Sequence, residues 1–325
     1  MPVLPLVFLP FSLAQAAWMA AGFFVIIATA LRQAQGWPPT VIGGWLLRAA
    51  RAEPGTQSLS NAFAACSFEG VEGSRPAWAI AVIVSALAFY PSVRDLALAQ
   101  FALLPFACIG GTLWALEARH DRLAGVTLAL ACAKPQMVFL IAPFTLLWAW
   151  RKRRAFVVGF LTGGAILLFV SLALWPAWVG EWLARLDEYR RYVTQLAPLS
   201  LLPEPLVWLA ALTAVGGTAW LIRQTLRGAR DLASAVNWLI PLTLLIAPST
   251  SVSDQVLLLI PLMGFAASLR NGRRALFLLG VAVLPWGWFW LTQSNGHEGA
   301  AMIWPLPVAT LGILICQEAF SRKPS

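Results

Sequence analysis

Along its whole length the chain alternates between apolar runs and short polar or basic breaks. Apolar stretches of about 17–25 residues recur, each long enough to cross about 30 Å of hydrocarbon. They predict helical spans over residues 5–31, 77–91, 95–117, 155–175, 204–222, 232–248, 254–270, 274–292 and 300–317. A further apolar run over 122–150 is interrupted at Lys134-Pro135. Residues 33–75 form the one long polar stretch and read as a loop, with a short interfacial helix near 41–47 as the alternative. Residues 176–203 break the pattern. There Trp178, Trp182, Leu186, Tyr189, Val193 and Leu196 recur every three or four residues, and Glu181, Arg185, Glu188 and Arg191 lie off that stripe. Such a stripe predicts a helix lying on the membrane surface rather than through it.

The basic residues give these spans a direction. Arg151 to Arg154, Arg223 to Arg230, Arg270 to Arg274 and Arg322-Lys323 all fall on one side if the spans alternate, and that side is the cytoplasm by the positive-inside rule. The run 122–150 does not fit as a single span, because Arg119 and Arg122 precede it and the 151–154 cluster follows it. Proline removes a helix hydrogen bond and disfavours helix in the residue before it, so Lys134-Pro135 predicts a break. Two half-spans of about 13–15 residues, each rising about 20 Å, then turn back near the outer leaflet. The fold class expected is all-α: a single polytopic transmembrane domain over 1–325 of about ten or eleven spans, with 33–75 as a cytoplasmic loop, 176–203 on the outer face and Met1 outside.

Composition sharpens this picture by exclusion. Of 325 residues, 59% are hydrophobic and only 11% charged, with a mean hydropathy of +0.74. Soluble domains carry about 25% charged residues, so an ordinary soluble enzyme is excluded. The net charge of +9 does not point to nucleic acid, since the cations sit in short loops between spans. Seventeen tryptophans suit a protein with two membrane interfaces. The four cysteines, Cys66, Cys108, Cys132 and Cys316, have neither zinc nor thioredoxin spacing and read as small apolar residues. His120 and His297-Glu298 fall on opposite sides, so no metal site is expected. Ala14-Gln15-Ala16 resembles a signal cleavage site, but no basic stretch precedes it and the apolar run continues, which reads as a span.

Few residues are left to carry chemistry. Lys134 is the sharpest, because an ammonium at membrane depth costs about 2.5–3.5 kcal/mol on insertion scales. It reads either as an anion contact at a broken helix, where freed backbone N–H groups also point at the ligand, or as a lysine snorkelling to the outer interface. Asp254 follows the polar turn Pro248 to Ser253 and reads either as a site contact or as a helix N-terminal carboxylate with Ser253 as cap. Asp95, after Pro91, invites the second of those readings. Gln100 falls about one turn inside a span, where a polar side chain needs a partner.

Several short patterns, in this order, carry a resemblance: Phe89-Tyr90-Pro91, Ala99-Gln100, Leu123 to Val126, Ala133-Lys134-Pro135-Gln136, Arg151 to Arg154, and Ala247-Pro248-Ser249 leading to Ser253-Asp254-Gln255-Val256-Leu257-Leu258. Together they resemble the family-87 glycosyltransferases, polytopic GT-C-type enzymes similar to bacterial polyprenyl-phosphate-mannose-dependent mannosyltransferases. The resemblance implies a multi-pass protein of the bacterial inner membrane. It implies transfer of a hexose, mannose-like, from a polyprenyl-phosphate carrier to a hydroxyl of a glycan or glycolipid acceptor on the outer face. The partners are then membrane lipids, the lipid-linked donor and the acceptor, with no nucleic acid and no cofactor beyond the donor. It places Lys134 at the carrier phosphate, with Gln136 and Gln100 nearby, and Asp254 and Gln255 in the sugar or acceptor pocket, roofed by the 178–196 helix. Two departures stand out. The family has Gly-Gln where this chain has Ala99-Gln100. The family's catalytic Asp lies in the outer loop between the first two spans, whereas Pro2-Val3-Leu4-Pro5-Leu6 resembles the opening of the second span, so the base is expected upstream of Met1. A transporter or flippase and a non-catalytic membrane assembly protein are the alternative readings.

Overall fold

The computed structural model describes residues 11–35, 75–185, 188, 198–269, 271–293 and 300–321. The polar stretch predicted over 33–75 lies almost wholly outside the described residues, as do His297-Glu298 and most of the surface helix predicted beyond Arg185. Every regular element among the described residues is helical. Among the described residues, three helices are long and apolar enough to cross a membrane: Arg154–Leu174, Glu204–Leu226 and Gly272–Thr292. The pair Trp78–Ala88 and Tyr90–Ala97, bent by 59°, passes the same test only when its two helices are taken together. Shorter apolar helices complete the bundle.

In chain order the helices are α1 (Phe11–Gln35), α2 (Arg75–Ala88), α3 (Tyr90–Ala97), α4 (Leu103–Glu117), α5 (Asp121–Ala131), α6 (Ile141–Lys152), α7 (Arg154–Leu174), α8 (Trp178–Ala184), α9 (Glu204–Leu226), α10 (Leu232–Ile246), α11 (Leu259–Ser268), α12 (Asn271–Thr292) and α13 (Pro305–Ser321). Two 3-10 turns, Pro135–Val138 and Val252–Leu258, precede α6 and α11. The long helices are inside-out relative to a soluble bundle. On α7 only Phe156, Gly159 and Gly163 are buried, one stripe at helical spacing, while Leu161 and Phe169 are 63% and 74% exposed. Contiguous apolar surface of that kind belongs against lipid.

With no hydrophobic force between helices in lipid, close backbone approach holds them together. α5 and α7 show how. A Cβ on Gly125 would lie 2.0 Å from the Phe156 carbonyl oxygen, and one on Gly159 would lie 2.1 Å from that of Arg122. Gly163 meets Val126 and Ala129 one turn further on. The contacts advance in the same direction on both helices, so α5 and α7 run parallel. α6, which links them in the chain, therefore runs back antiparallel to both. Arg153, after α6, donates to the Leu116 carbonyl at the end of α4 (2.9 Å) and to Asp121 at the start of α5 (2.8 Å). The segment from α5 through α6 thus starts and finishes at one end of the bundle, the turning-back that the charge pattern predicts.

The other basic junctions are pinned in the same manner. Arg274 donates to the carbonyls of Ala266, Ala267 and Leu269 and lies 4.3 Å from the ring centre of Trp78. Arg230 pairs with Glu318 at 2.6 Å. We call this the basic end.

Several predicted spans are corrected. Residues 77–91 and 95–117 are not two continuous spans: α2 stops at Ala88, and α3 is a separate helix with Pro91 in its first turn. The carbonyl of Ala88 freed by this break accepts the indole N–H of Trp286 at 2.7 Å. The span predicted from residue 254 begins instead as a 3-10 turn and becomes α-helical only at Leu259. Over the predicted surface helix, α8 covers Trp178–Ala184. Of the cysteines, Cys108 is buried, Cys132 partly so and Cys316 exposed on α13; Cys66 lies outside the described residues.

Candidate functional site

Three helix breaks meet at the end opposite the basic one: the α3–α4 turn, the α5–α6 turn and the Val252–Leu258 turn. Each contributes one charged side chain.

Lys134 is the residue before Pro135, with extended backbone (φ −126°, ψ 79°) as that position requires. Its backbone N–H donates to Ala131 at 3.3 Å, and its ammonium donates to Asp254 Oδ1. Lysine and aspartate side chains are 15% and 2% exposed, so this is a nearly buried ion pair. The second oxygen, Asp254 Oδ2, accepts the Ser251 N–H at 2.9 Å. Asp254 is therefore the capping carboxylate of this turn and, with its other oxygen, the partner of Lys134. The cap residue is Ser251, not Ser253, because the 3-10 turn begins at Val252 and Asp254 is its third residue.

Asp95 is the residue that sequence reasoning undervalued. It is fully buried and lies near the C-terminal end of α3, so it is no N-terminal carboxylate of its own helix. It serves the next one: its Oδ2 accepts the N–H of Leu103, the first residue of α4, at 3.2 Å. Its main-chain carbonyl accepts the Gln100 N–H at 2.9 Å. Asp95 Oδ1 is buried with no hydrogen-bond partner. Both Lys134 and Asp254 lie within electrostatic reach of this carboxylate. The centre is thus the Lys134–Asp254 pair with the buried Asp95 carboxylate nearby, on three elements distant in sequence. α3 packs directly on the Val252–Leu258 turn, which is what brings Asp95 and Asp254 together.

The remaining predicted residues divide. Gln136 follows Lys134 on the Pro135–Val138 turn and is half-buried. Gln100 is not inside a span: it is exposed in the α3–α4 turn, and its backbone N–H rather than its side chain closes α3. Gln255 is fully buried, with its amide group donating to the carbonyls of Met302 (3.0 Å) and Ile303 (2.7 Å), so it latches this turn to the segment before α13. Beside it Tyr90 stacks on Phe289 (4.8 Å between ring centres) and meets Trp286 edge-on (4.9 Å). Tyr90, Val252 and Met302 form a small buried cluster of their own, which stiffens the wall next to Asp254.

Comparison with known proteins agrees with the architecture. The model of glycosyltransferase family 87 matches residues 1–248, about three-quarters of the chain, a range that includes Asp95, Gln100, Lys134 and Gln136 and stops short of Asp254 and Gln255. No curated protein and no solved structure matches. A multi-pass helical bundle with a charged cluster opposite its basic end, matched over most of its length by that one family, belongs to glycosyltransferase family 87, the membrane glycosyltransferases.

Proposed function

We propose that this chain transfers a hexose, mannose-like, from a polyprenyl-phosphate carrier to an acceptor hydroxyl at the outer face of a bacterial inner membrane. In this reading Lys134 is the group that receives the carrier phosphate. The observation that carries it is the nearly buried Lys134–Asp254 pair at a proline break. A lysine that merely snorkels reaches outward to water; this one turns inward to a buried carboxylate.

The pair holds the ammonium in place before the donor arrives. The carrier phosphate then takes the place of Asp254 as counter-ion, and developing charge on the departing phosphate is met by a cation already in position. Asp95 and the turn it braces fix the backbone on one side of that ammonium, and Gln136 supplies an amide within a turn of it. Asp254, once released, faces the sugar or acceptor. Proton removal from the acceptor belongs to a carboxylate other than these, as the family pattern implies.

The test is transfer from a polyprenyl-phosphate-linked hexose by Lys134→Ala, with the amount of folded protein measured alongside. Loss of one electrostatic contact to the leaving phosphate predicts a fall of at least about tenfold. Unchanged transfer at normal protein level would make Lys134 a structural ion pair only.

A further inference from the structure

At the basic end, the α4–α5 turn meets the α6–α7 junction, and charge gathers around the contact. Arg153 holds the two together through the Leu116 carbonyl and Asp121, and Gly159 sets α7 against the main chain of Arg122. Arg119 and Arg122 lie on one side of this contact, Arg151, Lys152 and Arg154 on the other, and all five are exposed. Arg153 is already paired with Asp121. The other five side chains have no ion-pair or hydrogen-bond partner among the described residues. Arg274 and Arg230, by contrast, are engaged within the protein, on main-chain carbonyls and on Glu318. Elsewhere at this end the exposed cations are fewer among the described residues: Arg223 and Arg227 on α9, and Arg273 on α12.

Arg119 differs from the other four in its backbone. Its φ of 62° lies in the left-handed region. The turn closes α4 by His120 N–H to the Ala115 carbonyl at 2.8 Å and Arg119 N–H to the Leu116 carbonyl at 3.3 Å, a pattern whose left-handed position favours glycine. An arginine there strains the backbone, and its side chain makes no contact among the described residues that offsets the strain. Strain of this kind points to a role outside the fold. The surface beside the patch says what meets it: Trp150 and Val158 are 65% and 53% exposed, and Leu123 and Leu147 are exposed too. Cations bordering an apolar, tryptophan-bearing surface sit at the level of lipid headgroups. A zwitterionic headgroup brings its own cation to this cluster, whereas a net-negative one does not. We infer that this patch is a docking surface for anionic phospholipid headgroups, and that the Arg119 side chain serves that binding although it strains the fold. The surface rests neither on Lys134 nor on the transfer reaction.

The experiment uses the full chain in nanodiscs of phosphatidylglycerol, phosphatidylethanolamine and phosphatidylcholine at equal mole fraction, with native mass spectrometry reading the retained lipid. Phosphatidylglycerol should be retained over phosphatidylcholine by at least about tenfold, since each cation near an anionic surface is worth about fivefold. Equal retention of the three lipids overturns the inference, and this arm needs no variant. Arg119→Gly should lower the preference by about fivefold while raising the unfolding midpoint in detergent, because the charge is lost and the left-handed strain relieved. An unchanged preference, or a lower midpoint, would remove Arg119 from the docking surface. Arg151→Gln with Lys152→Gln should lower the preference further than Arg223→Gln with Arg227→Gln, which removes the same charge from α9. An equal or larger loss from the α9 pair would mean that net charge, not this patch, selects the lipid.

Discussion

Ala99 occupies the left-handed region, with φ of 49°. The turn around it closes α3 by two bonds, Ala99 N–H to the Leu96 carbonyl at 3.3 Å and Gln100 N–H to the Asp95 carbonyl at 2.9 Å. That pattern is the Schellman motif, whose left-handed position suits glycine. The Gly-Gln of the family thus acquires a backbone reason, and the alanine here carries strain. Ala99→Gly should raise stability by about 0.5–1 kcal/mol, the relief of left-handed strain less the extra freedom of the unfolded glycine; a higher unfolding midpoint in detergent checks it. The ion pair gives the opposite prediction. Asp254→Asn strands a nearly buried ammonium and should destabilise by about 3 kcal/mol. Adding Lys134→Met should recover part of that loss, because the stranded ammonium is then removed. Equal stability of the single and double variants would show that the pair contributes no coupling.

At the scale of elements, the structure is decided by where helices stop and how closely they approach. Pro91 and Pro135 mark two of the breaks at the site end, and the freed groups find partners in Trp286 and in the turn around Lys134. The approach of α5 to α7 rests on Gly125 and Gly159, where an added Cβ would strike backbone. Gly159 and Gly163 form a G-x-x-x-G pattern, legible in the chain as a packing face. Gly159→Val should abolish folded protein or cut its yield severely, whereas Gly164→Ala, with nothing within 4 Å of the added carbon, should express and unfold like the parent. Similar yields for both would mean that this crossing does not limit the fold.

At the scale of the whole molecule, the prediction concerns sidedness. The Arg153–Asp121 contact puts both ends of the α5–α6 segment at one end of the bundle. Single cysteines at Arg119 and Lys152, in a cysteine-free background, should be labelled by an impermeant maleimide from the same side of sealed vesicles, and one at Ala133 from the other. Labelling of Arg119 and Lys152 from opposite sides would replace the hairpin by a single crossing.

The sequence alone determined the class of the molecule: apolar runs of membrane length, cations confined to alternate breaks, and a proline-marked lysine where charge counting demanded a turn back. These are local properties, set by the solvent around each segment, so they survive without knowledge of the partners. Only the tertiary structure decided that Lys134 is held by Asp254, 120 residues away, and that Asp95 caps a neighbouring helix beside them. It also showed that the Gln255 amide group donates to the carbonyls of Met302 and Ile303. What a buried charge does depends on which group the fold sets against it. That pairing is fixed by the packing of α3 on the Val252–Leu258 turn, which no spacing within either segment encodes.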